Sequence, residues 1–170
     1  MPFQVVAFDP GGTTGWSVID VHTDALLSPD YPILANINFW QAGQYEGSLN
    51  DQAQEMVDLC RAWEDADIVC EGFIMRQFLP EPSVLDPVRL AAILSYVMSP
   101  RRVYQQQPSL AMTTVTDDRL KDWKLYGDER LTGKPHARDA MRHAITWLRR
   151  RKAALAKSRA AANGRGAIQI

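Results

Sequence analysis

The chain has 170 residues, 46% of them hydrophobic, with 19 Lys/Arg against 20 Asp/Glu and a formal net charge of −1. That length buries one sizeable core and leaves little for a second, so a single globular domain is expected. No stretch reaches the ~20 consecutive apolar residues of a membrane span, and Met1-Pro2-Phe3-Gln4 lacks the basic-then-apolar layout of a signal peptide, which predicts a soluble, cytoplasmic protein.

Phe3 to Asp9 is a β-rich apolar run ended by Pro10-Gly11-Gly12, and Gly15 to Asp20 alternates again after the turn. This pattern predicts a hairpin. A loop from His22 to Pro32 should precede a third strand within Ile33 to Gln44, where Ile37, Phe39 and Gln41 share a face. From Leu49 to Ala66 the positions Ala53, Met56, Val57, Cys60 and Trp63 recur at three- and four-residue steps. They predict an amphipathic helix that Asn50 or Asp51 would cap.

Asp67 to Phe73 reads as a short buried strand in which Glu71 is out of place. Cys60 and Cys70 lack the spacing of a zinc or redox motif and are expected to be buried thiols. Asp86-Pro87, a cap and first-turn pair, opens a second helix carrying Val88, Ala91, Ala92, Leu94, Ser95 and Met98, which Pro100 should end. Arg102 to Gln106 is the fifth candidate strand, bounded by Pro108. Ser109 to Trp123 should form one or two short helices, and Leu125 to Pro135 a loop that Lys121, Lys124 and Lys134 frame with positive charge.

From His136 onward Ala140, Met141, Ala144, Ile145, Leu148 and Leu155 mark one face of a long helix running to about Ala162. At ~1.5 Å per residue its distal half should project past the core. Residues 1 to 139 carry 11 Lys/Arg against 20 Asp/Glu, whereas residues 140 to 170 carry 8 against none, so the last fifth of the chain is a cationic arm. Such a block often marks a nucleic-acid contact, although a solvated helix end has the same composition. The order of elements predicts an α/β fold with a mixed five-stranded sheet, its first three strands antiparallel, flanked by helices. The division expected is a domain over residues 1–150 and a basic helical extension and tail over 151–170.

Three acids stand at telling places: Asp9 ends the first strand, Glu71 lies in the fourth, and Asp139 opens the last helix. Carboxylates brought together repel one another, and hard divalent ions such as Mg²⁺ or Mn²⁺ neutralise such a cluster through oxygen ligands. Two such ions, roughly 3.5 to 4 Å apart, activate water and stabilise the leaving oxygen in an in-line phosphodiester displacement. His136 and Asp139 stand three residues apart, so both address one side of a helix, and His143 continues that side a turn later. His143 fits a core role or a ligand's supporting partner as well as it fits a ligand, and it is left outside the ligand set. Taken singly, Asp9 is also a common turn former and Asp139 a common first-turn acid.

The run Ala7-Phe8-Asp9-Pro10-Gly11-Gly12-Thr13-Thr14-Gly15-Trp16 resembles the first catalytic strand and turn of the RuvC-like Holliday junction resolvases of the ribonuclease H-like superfamily. Val69-Cys70-Glu71-Gly72-Phe73 resembles their second acidic strand, and His136-Ala137-Arg138-Asp139-Ala140 their carboxy-terminal motif. The match spans roughly residues 3 to 150, and the short layout resembles the bacteriophage branch. The resemblance implies an endonuclease that cuts four-way junctions and other branched DNA as a homodimer. It also implies that Asp9 bridges two Mg²⁺ or Mn²⁺ ions, that Glu71 and Asp139 each hold one, and that His136 binds metal or orients the attacking water. It makes Phe73, Arg76 and Phe78 candidates for stacking on or wedging between bases. Lys121, Lys124, Lys134, Arg149, Arg150, Arg151 and Lys152 are the candidate phosphate contacts. Thr13, Thr14 and the Gly11-Gly12 pair would shape the turn beside the scissile phosphate, though a Gly-Gly hairpin needs no ligand to explain it.

Two other readings compete. The Asp9 to Gly15 run also resembles the first phosphate loop of sugar kinases and actin-like ATPases, but those need two such domains and a second phosphate loop. A protein that binds branched DNA without cutting it would use the same fold with its acids idle.

Overall fold

The computed structural model describes residues 2–28, 32–73 and 82–166. Its centre is a five-stranded sheet built from β1 (Pro2–Asp9), β2 (Thr14–His22), β3 (Ile37–Tyr45), β4 (Asp67–Glu71) and β5 (Val103–Gln106), in the order β3-β2-β1-β4-β5. β1 to β3 pair antiparallel, whereas β4 runs parallel to β1 and β5 parallel to β4. The chain reaches β4 through α2 (Leu49–Ala62) and passes from β4 to β5 through α3 (Asp86–Val97), because parallel neighbours cannot be joined by a tight turn.

Successive side chains of a strand point to opposite faces, and β1 is apolar on both. Val5 and Ala7 enter one core with Ile19 and Val21 of β2, against Met141, Ala144, Ile145 and Leu148 of α6 (Pro135–Gly166). Val6 and Phe8 enter the other with Ile68 and Cys70, against Met56, Val57 and Cys60 of α2 and Leu90 and Leu94 of α3. The sheet is therefore sandwiched between two helical layers. Both cysteines are buried free thiols, and burial pushes Cys60 up to about 12 and Cys70 higher still.

Local chemistry sets the helix ends. The cap of α2 is Ser48, two or three residues earlier than the sequence suggested: its hydroxyl accepts from the Asp51 N–H at 3.3 Å, and the Asp51 carboxylate accepts from the Ser48 N–H at 3.1 Å. At the far end the Arg101 guanidinium donates to the carbonyls of Cys60, Trp63 and Ala66 at 2.7, 2.9 and 2.9 Å, which takes up one open carbonyl of the last turn, that of the cap and one just beyond. Asp86 lies inside the first turn of α3 rather than capping it.

The stretch read as loop from His22 contains α1 (Thr23–Leu27), and a 3-10 turn (Ile33–Asn36) precedes β3. Pro108 starts α4 (Pro108–Thr114), and Thr116 caps α5 (Asp117–Asp122). The loop after α5 is pinned by Arg130, which bonds Asp128, donates to the Trp40 carbonyl and lies 3.2 Å from the Trp40 ring centre. Among the described residues no helix is long and apolar enough to cross a membrane.

The distal half of α6 does not project past the core over most of its length. Leu155 packs on the core, and Arg159 donates to the Leu27 carbonyl at the end of α1. Arg151 lies 3.4 Å from Asp67 and over the rings of Phe3 and Trp147. The reason is α1, a five-residue helix too short to leave a periodic trace, which extends the surface on which α6 rests.

Candidate metal centre

Parallel pairing sets Phe8 opposite Cys70, so Asp9 and Glu71 arrive together at the carboxyl ends of adjacent strands. The amino end of α6 crosses above them, which requires a close approach to β2: a Cβ on Gly15 would lie 1.9 Å from the His136 carbonyl oxygen. The Gln44 side chain of β3 accepts the His136 N–H at 3.1 Å and takes up one of the open amides of the helix start. On α6, residues 136, 139 and 143 follow one another at helical spacing and turn the same way. Asp9, Glu71, His136 and Asp139 consequently line one pocket of about 200 Å³, with Arg142 and His143 in its wall. A larger cavity, about 900 Å³, lies elsewhere, between α1, the 3-10 turn and distal α6; among the described residues its lining is mostly apolar and contains no acid.

Each acid accepts from a nitrogen of α6. His136 Nδ1 lies 2.9 Å from Asp9 Oδ2, and His143 Nε2 lies 2.8 Å from Glu71 Oε2. The Arg142 guanidinium bridges Asp139 and Asp117 and donates to the Val115 carbonyl. Asp9 is only 7% exposed, and its carboxyl is pushed up to about 6 by burial first, then by the charge of Glu71, with Asp139 adding and His136 opposing. As they stand, no group of three or more His, Cys, Asp or Glu among the described residues is gathered closely enough to hold an ion. Two observations nevertheless fit a divalent cation. The donors are carboxylate oxygens, which hard cations prefer, and the mutual repulsion felt by Asp9 is what such a cation relieves.

The other expected contacts are scattered. Phe73 is half-buried just beyond β4, and Arg76 and Phe78 lie outside the described residues. Lys121 is exposed on α5, 3.3 Å from Asp118 and 5.4 Å from the centre of the Tyr126 ring. Lys124 follows α5 with a left-handed φ of 59°, exposed, and Lys134 is half-buried just before α6. Arg149 and Arg150 are exposed, Arg149 donating to the Thr114 carbonyl at 3.3 Å, and Lys152 borders the large cavity. Arg151 stands 3.4 Å from Asp67 and over the rings of Phe3 and Trp147, with its side chain 42% exposed.

Sequence reasoning missed Arg142 and Asp117, and it left open the partner of His143. A signal was present: Arg142-His143 interrupts the apolar run from Ala140 to Ile145, three and four residues beyond Asp139. Arg138 was also missed; it stacks 4.7 Å from the Tyr126 ring centre beside the acid pocket.

Three antiparallel strands, two parallel ones and a long carboxy-terminal helix define the ribonuclease H-like fold, the fold expected from the motifs. Solved structures share it. The chain is similar to RuvC of T. thermophilus in complex with a Holliday junction substrate, at 17% identity and a TM-score of 0.56 over 85% of this chain and 91% of that one. It is also similar to another Thermus thermophilus RuvC structure, at 14% identity and a TM-score of 0.52 over 85% and 92%. No family model and no curated protein matches the chain.

Proposed function

We propose that the chain is a Mg²⁺-dependent endodeoxyribonuclease that resolves Holliday junctions and other branched DNA, with Mn²⁺ able to replace Mg²⁺. The observation that carries this reading is the gathering of Asp9, Glu71 and Asp139 around one pocket on a RuvC-like fold. Asp9, Glu71, Asp139 and His136 would hold two ions there. The ions would supply a water ionised at neutral pH and charge stabilisation of the phosphate as a new P–O bond forms and the ester P–O bond breaks.

The chain's own residues supply orientation. With Nδ1 of His136 bonded to Asp9, its Nε2 is the nitrogen left for a water proton or a cation, and its 41% exposed side chain gives that nitrogen access. Burial of Asp9 restricts water around its carboxylate and strengthens its attraction to cations. Lys121, Lys124, Lys134, Arg149, Arg150 and Lys152 are proposed to hold flanking phosphates, and Phe73, Arg76 and Phe78 to enter the junction. Residues 1–150 would form the nuclease domain and 151–170 its basic extension. The protein would act in the cytoplasm, a host's if it is of bacteriophage type.

A homodimer suits a junction with two equivalent strands to cut. It is supported by Leu85, Val88 and Tyr96, 37%, 42% and 85% exposed, which follow one another along the outer face of α3 and its entry.

One observation favours a second reading, a branched-DNA-binding protein without catalysis: every acid of the pocket already has a protein nitrogen partner. Cleavage of a four-way junction in Mg²⁺ or Mn²⁺ by the parent, Asp9→Asn and Asp139→Asn separates the two. The nuclease reading expects cutting by the parent and near-complete loss in both variants with junction binding retained. Equal inertness of all three, with binding intact, establishes the second reading.

A further inference from the structure

His143 lies one turn beyond Asp139 on α6 and is 1% exposed. Both ring nitrogens are engaged: Nε2 stands 2.8 Å from Glu71 Oε2, and Nδ1 stands 2.7 Å from Gln106 Oε1. Gln106 closes β5 and is itself 2% exposed, and its Nε2 is buried without a hydrogen-bond partner among the described residues. With Glu71 as a carboxylate, two arrangements are chemically consistent. In one, both ring nitrogens carry hydrogen and Gln106 Oε1 accepts; in the other, the amide is turned over and its Nε2 donates to a bare Nδ1. In both, His143 Nε2–H donates to Glu71 Oε2, so the direction of that bond does not depend on the charge of the ring.

We infer that His143 is a positioning residue for Glu71: braced by Gln106, it holds Oε2 and leaves Oε1 as the oxygen with which Glu71 meets a cation. This rests on the reading of Glu71 as a metal ligand. A glutamate at a strand end has three side-chain torsions to fix before it can serve, and a donor locked from behind removes that freedom ahead of binding. The main chain is fixed from the same residue, because the Gly72 N–H donates to the Gln106 carbonyl at 2.8 Å. Gln106 thus holds the end of β4 through its backbone and the Glu71 carboxylate through His143.

The test is Mn²⁺ binding by calorimetry for the parent, His143→Gln, His143→Asn and His143→Leu, with four-way junction binding in EDTA and cleavage in Mn²⁺ followed in parallel. Gln places an amide donor near the position of Nε2, whereas the shorter Asn reaches only the position of Nδ1. The glutamine variant is expected to bind Mn²⁺ within ~3-fold of the parent, and the asparagine and leucine variants about 10- to 100-fold more weakly, with junction affinity in EDTA unchanged in all. Should the leucine variant not fold, judged by circular dichroism, the glutamine and asparagine pair gives the same contrast. Equal Mn²⁺ affinity in parent and asparagine variant, or an equal fall in glutamine and asparagine, overturns the inference. A parent that binds Mn²⁺ but cuts no branched DNA ends the nuclease reading and leaves the inference standing on the affinities alone. A parent that binds no Mn²⁺ ends both.

Discussion

At the scale of single residues, the site is a set of anions held in check by one helix. Asp9 is raised from 3.8 to about 6, chiefly by burial and then by Glu71. Its neutral form is favoured in the folded state, so its contribution to stability is complete below pH 3.8 and is lost as the pH rises through 6. A shift of that size corresponds to roughly 3 kcal/mol at neutral pH. Urea unfolding in EDTA should therefore show Asp9→Asn gaining on the parent by a few kcal/mol between pH 4 and pH 7, and saturating Mg²⁺ should narrow the gap. A gap that does not change with pH would mean that Asp9 ionises without penalty.

Arg142 gives a second prediction of this kind. Its guanidinium is 11% exposed and serves Asp139 and Asp117, which are 28% and 51% exposed. Replacing it by Met leaves two carboxylates facing a filled but uncharged space. A fully buried pair broken this way loses about 3 to 5 kcal/mol, and the partial exposure of both acids brings the expected loss nearer ~2 kcal/mol. Thermal melts of Arg142→Met in EDTA should show that loss. Because Asp139 is then released from a competing cation, Mg²⁺ should raise the melting temperature of the variant more than that of the parent.

At the scale of elements, the decisive contact is between β2 and the start of α6. Only a residue without Cβ fits where Gly15 meets the His136 carbonyl. Gly15→Ala must push the helix end away from β2, with an expected cost of at least about 1 to 3 kcal/mol. The same displacement moves His136 and Asp139 relative to Asp9. Mn²⁺ affinity should accordingly fall further than the melting temperature alone would suggest; an alanine variant with parental Mn²⁺ affinity would show that the approach has slack. Much at this scale was legible in the sequence. The apolar runs of β1 and β4, the three- and four-residue steps of α2 and the long stripe of α6 all reflect burial against a sheet, which strand and helix periodicity record directly. α1 and the 3-10 turn were not, because each is too short to show a period and is held by tertiary packing, α1 against α6 and the turn against α1 and β2.

At the scale of the molecule, the charge asymmetry is real, but its use is divided. Arg151 is tied to Asp67 and two aromatic rings, and Arg159 to the carbonyl of Leu27, so part of the cationic arm fastens α6 to the body. Removal of exposed Lys121 or Lys124 should flatten the dependence of junction affinity on log salt by about one unit of slope. Arg151→Ala should leave the slope unchanged and lower the melting temperature instead. The exposed face of α3 makes a further prediction: if the proposed dimer forms through it, light scattering should find a dimeric parent and a monomeric Tyr96→Arg variant, and a parent that is already monomeric would remove the dimer from the proposal.

The sequence by itself determined the order of elements along the chain, the mixed sheet flanked by helices and the identity of the candidate acids, because hydrophobic periodicity and local motif chemistry are written along the chain. The tertiary structure alone decided what each acid faces. His136, Arg142 and His143 acquire their partners across separations of 127, 3 and 72 residues, and two of those three pairings join different elements. Such pairings depend on strand register and on how closely α6 approaches the sheet, and neither distance is encoded in any local run of residues.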